Sequence, residues 1–257
     1  MNYFFGFKND TFQCQLQIPL FQNRVFSKND YKLFKSFPRN NEWVLEDLSN
    51  HKSNEYFYLL NNDDISNEEI YFLAKNTILD EFDHKKLKNF NSFTDTNPEY
   101  RSNFKLSLID GGFSSYQSDY PYSMISKKGS VVSQISSIAN SKADKNYILF
   151  KNIYEKPIQE NFKAYLIDYK IKKIEQEFII KTNYTNLIHI NTNLIRPEIF
   201  LVTDKYLGIP IYISEKNKHL SIEHTHPPHV YILTDDKYSK INSLKNEMHE
   251  IINKKIS

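Results

Sequence analysis

The sequence predicts a mainly β protein whose C-terminal part is an antiparallel β-sandwich, immunoglobulin-like or jelly-roll, with one or two peripheral helices. Between residues 146 and 213, short apolar runs of strand length follow one another without a helical pattern between them, which indicates a sandwich or barrel. The chain also contains 18 Tyr and 19 Phe residues, and aromatic residues favour strands.

The N-terminal region, residues 1–100, is predicted to be β-rich as well. Its strand patterns are, in order, Tyr3 to Phe7, Phe12 to Ile18, Arg24 to Phe26, Trp43 to Leu45 and Tyr56 to Leu60. Apolar and polar residues alternate from Phe12 to Ile18, so one face of this strand points into the core. Cys14 shares that face, and we therefore predict a structural role for its thiol rather than a nucleophilic one.

One helix is expected in the N-terminal region. Ser66-Asn67-Glu68-Glu69 matches a capping box, and apolar residues follow at helical spacing, which predicts a helix over 67–80. Residues 84–103 are polar and rich in asparagine, the composition of a linker. We therefore expect the chain to divide there, into a region of residues 1–100 and a sandwich domain of residues 104–257.

The sandwich domain is predicted to contain a series of strands and a final helix. The strand patterns are Phe104 to Ile109, Tyr147 to Tyr154, Phe162 to Tyr169, Ile174 to Lys181, Asn186 to Ile190, Ile199 to Thr203, Ile209 to Ile213, His219 to His226 and Val230 to Leu233. After Asp235 and Asp236, apolar residues at helical spacing predict a C-terminal helix that packs back on the sandwich. A dimer contact through this helix is the alternative, which leaves a homo-oligomer open.

Charge and composition limit the classes of partner that the protein can bind and the cellular compartment in which we expect it. The formal net charge is only +2, with acids and bases interspersed, so the chain lacks the electrostatic footprint of a nucleic-acid-binding protein. No apolar run approaches the roughly 18 residues of a membrane span, and the first residues lack the pattern of a signal peptide. A single cysteine excludes an intrachain disulfide, which fits a reducing compartment. We expect a cytoplasmic protein.

A segment with glycine and tyrosine follows the first strand of the sandwich domain. The chain has five glycines, and two of them, Gly111 and Gly112, stand at its start. Tyrosine combines a large ring with a polar tip and is common on ligand surfaces. Packing of a long loop on the sandwich is the alternative interpretation. The candidate ligand-binding residues of this segment are Tyr116, Asp119, Tyr120 and Tyr122.

A histidine cluster, Glu223-His224-Thr225-His226-Pro227-Pro228-His229, is the second candidate site. Alternate residues of a strand share a face, so His224 and His226 would point with Ile222 into the protein. Buried imidazoles need partners, because an unpaired buried polar group costs roughly 1–3 kcal/mol. A metal ion would satisfy both rings, and the two prolines would end the strand and return His229 towards the same ion. Histidines hydrogen-bonded to backbone are the alternative.

The predicted metal ligands are therefore His224, His226 and His229, and the predicted cofactor is a divalent transition metal, zinc or iron. A fourth ligand would come from Asp110, Asp119 or His189 if the fold brings one of them near. The spacing of His224 and His226 resembles the first metal motif of the cupin family, in which two histidines one residue apart lie on a barrel strand. No glutamate follows where that motif has one, and too few residues follow His229 for the second motif, so the sequence does not place the chain in that family.

Three functions follow from these sites. The first is a metal-binding sandwich protein, and an open coordination position would make it a metalloenzyme acting on a small molecule. The second is a non-catalytic module that recognises a glycan or a protein partner through the tyrosine segment 113–122. The third is a structural or assembly component. The sequence does not decide whether the protein is an enzyme, because no serine stands in a recognisable nucleophile motif.

Overall fold

A computed structural model gives the coordinates of the chain. It describes residues 2–19, 31–51, 53–54, 56–87, 102–118, 120–121, 132–137, 139–203, 205, 210–224 and 234–256. Strands make up 49% of these residues and helices 15%, which confirms the prediction of a mainly β protein. None of the helices among them is both long and apolar enough to cross a membrane.

Contacts between residues group the chain into two compact units. The first unit is Met1–Ser126 with Lys151–Gln159 and Thr182–Thr185, and the second is Lys127–Phe150, Glu160–Lys181 and Asn186–Ser257. The predicted division into residues 1–100 and 104–257 stays a prediction.

The first unit is built from antiparallel sheets. Its described elements are β1 (Asn2–Tyr3), β2 (Phe12–Pro19), β3 (Lys32–Arg39), β4 (Glu42–Asp47), β5 (Phe57–Leu60), β6 (Ile70–Ala74), the helical turn α1 (Ile78–Glu81), β7 (Ser102–Leu108), β8 (Phe113–Ser118) and β9 (Tyr120–Pro121). A four-stranded sheet has the order β5-β2-β7-β8, a three-stranded sheet has the order β4-β3-β6, and β1 pairs with β9. Buried aromatic rings fill the interior of this unit; the Phe5 and Phe104 rings, for example, lie 5.9 Å apart.

The helix predicted over 67–80 is wrong. Ser66 and Glu69 do make a capping-box bond, because the Glu69 carboxylate accepts from the Ser66 amide at 3.1 Å. The chain then enters strand β6, whose five residues are all buried. A short strand that is covered on both faces has a continuous run of apolar residues in the sequence. The spacing of apolar residues cannot distinguish such a run from a buried helix.

The second unit contains the predicted sandwich. Its elements are β10 (Val132–Gln134), β11 (Lys145–Asn152), β12 (Asn161–Asp168), β13 (Lys173–Lys181), β14 (Tyr184–Ile190), β15 (Ile199–Thr203), β16 (Ile211–Lys216), β17 (His219–His224) and the helix α2 (Lys237–Ile256). The last two residues of β11 and the first two of β14 belong to the first unit. Two antiparallel four-stranded sheets, with orders β10-β15-β12-β13 and β14-β11-β16-β17, share one hydrophobic core. That core includes Phe150, Leu166, Leu201 and Tyr212, contributed by strands of both sheets.

Helix α2 packs on the outer face of the sandwich, as predicted. Met248 and Ile252 are buried against Tyr165, Ile167 and Val202. Strand β12 therefore buries both faces, with Leu166 in the sandwich core and the residues on either side of it under the helix. The strands predicted at Arg24 to Phe26 and Val230 to Leu233 lie outside the described residues.

Candidate functional site

His224 is the one predicted metal ligand that the described residues include. It is the last residue of strand β17, where it pairs with Ile211, and it is half-buried. Its side chain lies on the same face of the strand as that of the buried Ile222. His226 and His229 lie outside the described residues, so the three-histidine metal site stays a prediction. Within the described part of the chain, no three His, Cys, Asp or Glu side chains are grouped so that they could hold a metal ion.

The proposed fourth ligands are dispersed. His189 is exposed on β14, and its ring centroid lies 5.3 Å from that of Tyr147. Asp110 is exposed in the turn after β7, in the first unit. Asp119 lies outside the described residues.

The tyrosine segment begins as a strand rather than the predicted loop. Residues 113–118 form β8, because the turn after β7 folds the chain back into a hairpin with Ser107 opposite Phe113. Tyr116 is half-buried on β8, and the backbone of Tyr120 pairs with Tyr3 in the β1–β9 sheet. Two further predicted ligand-binding residues, Asp119 and Tyr122, lie outside the described residues. The role of this segment in binding stays a prediction.

A polar cleft of about 590 Å³ in the first unit was not predicted from the sequence. It lies beside a tight turn, residues 66–69, which we call the cleft turn. Carboxylates are the commonest charged groups in its wall. The residues outside the cleft turn that line it include Lys8, Lys35, His51, Asp63, Asp64 and Tyr184.

The Glu69 carboxylate closes the cleft turn from within. It is largely buried, and one oxygen accepts from the Lys35 ammonium at 2.8 Å. The other oxygen accepts from the Tyr71 hydroxyl at 2.5 Å and from the Ser66 amide at 3.1 Å. Hydrogen bonds to a charged group are about twice as strong as neutral ones, so these three donors hold the turn in one shape.

Asn67 ties the cleft turn to the N-terminal segment. Its side-chain oxygen accepts from the Lys8 amide and its side-chain nitrogen donates to the Lys8 carbonyl, both at 2.9 Å. The Asn67 carbonyl accepts from the Thr185 amide at 2.7 Å. The cleft wall is therefore preorganised rather than a free loop, which lowers the ordering cost of binding a ligand.

Lys151 lies directly behind the cleft turn. Its side chain is 1% exposed, and Nζ donates to the carbonyls of Asn67 at 2.8 Å and Glu69 at 3.0 Å. Loss of hydration lowers the pKa of Lys151 from 10.5 to about 7, although the charges of Glu69 and Glu68 oppose this shift. The amine is thus close to half-protonated near neutral pH.

The pKa values of the neighbouring titratable groups, Tyr71 and Lys35, shift in the opposite direction. Burial, with the adjacent Glu69 carboxylate, raises the pKa of Tyr71 well above 10 and keeps its hydroxyl a donor. Desolvation of Lys35 is outweighed by its bonds to Glu69 and Glu46, which raise the pKa of that ammonium. Lys35 and Tyr71 therefore keep their protons at pH 7, and Lys151 is the member of this group that titrates there.

His51 is fixed on the other side of the cleft. Its Nε2 lies 2.9 Å from the Leu59 carbonyl, an acceptor, so this nitrogen carries the proton. The Asp64 carboxylate lies 3.7 Å from the same nitrogen and accepts from the Asn61 amide at 2.9 Å. The ring is thereby held at the cleft edge with Nε2 donating to the Leu59 carbonyl.

Comparison with protein-family models, curated proteins and solved structures found no match to this chain. The function is therefore argued from the site itself. The immunoglobulin-like or jelly-roll class of the sandwich stays a prediction.

Proposed function

We propose that the first unit binds a small polar molecule in the cleft beside residues 66–69. The preorganisation of the cleft turn by Glu69, Asn67 and Lys151 is the observation that supports this proposal most strongly. A volume of about 590 Å³ also lies within the range of roughly 300–1,000 Å³ that is usual for small-molecule sites.

The chemistry of the wall favours a ligand rich in hydrogen-bond donors. Asp63, Asp64 and Glu68 present carboxylate acceptors to the cleft. The Lys35 ammonium is already engaged by Glu69 and Glu46, and Lys8 is the other lysine of the wall, so carboxylates outnumber ammonium groups there. Hydroxyl and amine groups donate to carboxylates, and Tyr184 offers a ring against which a sugar or a cation can pack. The proposed ligand is a sugar or an amine.

Calorimetric titration with two probes tests the proposal and separates the two ligand sources. Methyl glucoside supplies hydroxyl donors, and putrescine supplies ammonium donors. We expect one of them to bind the wild-type protein and to bind the Asp63→Asn variant at least several-fold more weakly. Asp110→Asn removes an equally exposed carboxylate outside the cleft and is the matched control. Absence of binding by both probes would contradict the proposal.

A metal site at His224, His226 and His229 is the second candidate function, with zinc or iron as the ion and a metalloenzyme as its extension. The observation that favours it is the position of His224, which shares the inward face of β17 with Ile222. Imidazole on an apolar face is a good ligand for either metal.

Elemental analysis tests the metal proposal. We expect stoichiometric metal in the wild-type protein and its loss in a His224→Ala/His226→Ala variant. His219→Ala is the matched control, because His219 is exposed on the same strand with the opposite parity. Equal, substoichiometric metal in all three proteins would rule this site out.

A further inference from the structure

The two hydrogen bonds of the Lys151 side chain match a neutral amine better than an ammonium. A neutral amine has two N–H groups, and Nζ of Lys151 has two carbonyl acceptors, those of Asn67 and Glu69. An ammonium has three N–H groups, and the third would need another acceptor in an environment from which water is excluded. Protonation therefore changes the hydrogen-bonding demand on the cleft turn.

The charged groups around Lys151 decide how the turn responds. Glu68 and Glu69 belong to the turn itself and attract the protonated amine. Glu69 is shared with Lys35 of β3 and with the Tyr71 hydroxyl of β6. A positive charge on Lys151 thus competes with Lys35 and Tyr71 for the same carboxylate.

We propose that the cleft turn is a proton-responsive element, whose shape is set by the protonation of the buried Lys151. Below the transition the ammonium draws the carboxylates of the turn towards itself, and above it the neutral amine holds only the two carbonyls. The proposal deepens the proposed function and rests on it, because the turn regulates a ligand only if the cleft binds one.

NMR of the ligand-free protein tests this directly. The carbonyl ¹³C shifts of Asn67 and Glu69 are followed from pH 5.5 to pH 9, with the Lys151 ¹³Cε shift as a reporter of the amine. We expect all three signals to titrate together, with a midpoint close to pH 7. In Lys151→Met the two carbonyl transitions are expected to disappear. Carbonyl shifts that do not change over this range, or that titrate equally in Lys151→Met, would overturn the proposal.

Three milder variants keep the test decisive if Lys151→Met does not fold. Glu68→Gln removes a charge that favours the protonated lysine, so the midpoint is expected to move to lower pH. Asp63→Asn removes a cleft carboxylate that is not among the groups that shift the pKa of Lys151, and it is expected to leave the midpoint unchanged. His51→Gln is expected to retain the transition, which excludes His51 as its source. Equal midpoints in wild type and Glu68→Gln would also overturn the proposal.

These measurements are independent of any ligand. A titrating turn in a protein that binds neither putrescine nor methyl glucoside would contradict the proposed function alone. A protein that binds one probe while its turn does not titrate would contradict this inference alone.

Discussion

Gly6 occupies a position at which a side chain has no room. A Cβ built on its backbone would lie 2.5 Å from Cγ2 and 2.8 Å from Cδ1 of Ile65, and Ile65 is buried. Overpacking of this kind typically costs about 1–3 kcal/mol. We therefore expect Gly6→Ala to lower the free energy of unfolding of the first unit by that amount, as measured by urea denaturation with Trp43 fluorescence. Trp43, the only tryptophan, is buried in this unit.

A double-mutant cycle checks that Ile65 is the cause. In an Ile65→Ala background, Gly6→Ala should cost less than about 0.5 kcal/mol, because the clashing atoms are gone. If the cost of Gly6→Ala is the same in both backgrounds, steric conflict with Ile65 is not its origin.

The residues behind the cleft explain why sequence patterns did not reveal it. Lys151 and Glu69 are separated by 82 residues, and Lys35 and Glu69 by 34. No local pattern reports such long-range pairs, and a lysine in an apolar strand run reads as an ordinary strand residue. The local bond between Ser66 and Glu69 was predictable, since a capping-box pattern depends only on spacing. Its tertiary consequence, a turn that walls a cleft, was not.

The hairpin of β16 and β17 turns through two residues with positive φ. Asn217 has a φ of 50° and Lys218 a φ of 62°, the left-handed conformation of a two-residue hairpin turn. Asparagine tolerates this conformation, whereas it costs a lysine roughly 1 kcal/mol or more. Lys218→Gly is therefore expected to stabilise the second unit by about 0.5–1 kcal/mol in thermal unfolding followed by circular dichroism.

The strand next to the turn supplies the control for this prediction. Lys216 lies in β16, where glycine only adds conformational freedom to the unfolded chain, so Lys216→Gly is expected to destabilise. Destabilisation by both substitutions would show that the turn does not have this conformation, and it would contradict the register that places His224 opposite Ile211.

Helix α2 is stabilised by its packing on the sheet beneath it. Its sequence is largely polar, and Met248 and Ile252 supply its fully buried contacts among the described residues. Met248→Ala is expected to cost about 2–4 kcal/mol, the usual penalty for a truncated core side chain, in the same thermal measurement. Asn246→Ala, at an exposed position two residues earlier, should change stability by less than about 0.5 kcal/mol. Equal effects would mean that the helix does not pack through Met248.

Strands and the helix α2 were predictable where a single face is buried. The run from Phe12 to Ile18 alternates, and β2 buries Cys14 as that alternation predicts. The apolar positions of α2 repeat with helical spacing for the same reason. Patterns failed at β6, where a capping-box motif precedes a continuous apolar run, and where charged residues interrupt a strand, as Lys32 and Lys35 do in β3. A continuous apolar run does not by itself distinguish a buried strand from a buried helix, so the local motif beside it decided the prediction.

The fold class as a whole was predictable because it depends on many strands at once. An error in one element, such as 67–80, leaves the count of strands in the second unit unchanged. The pairing of β11 with β16 and of β12 with β15 brings together residues far apart in the sequence. Sheet order therefore required coordinates, as did the cleft, which depends on contacts rather than on composition.

The pH dependence of stability sums over every titrating group, and between pH 7 and pH 9 we expect Lys151 to contribute most; burial also lowers the pKa of Lys245, which acts in the same direction. The pKa of this lysine is about 7 when the protein is folded and 10.5 when it is not perturbed, so the unfolded chain binds more protons between these values. Stability therefore rises with pH across that window, by on the order of 2 kcal/mol from pH 7 to pH 9. Burial raises the pKa of Cys14 from 9.0 to about 12, and its folded-state proton produces the opposite slope mainly above pH 9.

Urea denaturation at pH 7, 8 and 9, followed by Trp43 fluorescence, measures this slope. Lys151→Met cannot titrate, so its unfolding free energy should be nearly independent of pH over the same range, whatever its absolute stability. A Cys14→Ala variant should retain the wild-type rise, because the thiol contributes little below pH 9. If wild type and Lys151→Met show the same slope, the amine is charged in the folded state throughout this range. The folded protein would then hold an ammonium against two carbonyls at a site without water, which is the arrangement that the cost of burying a charge disfavours.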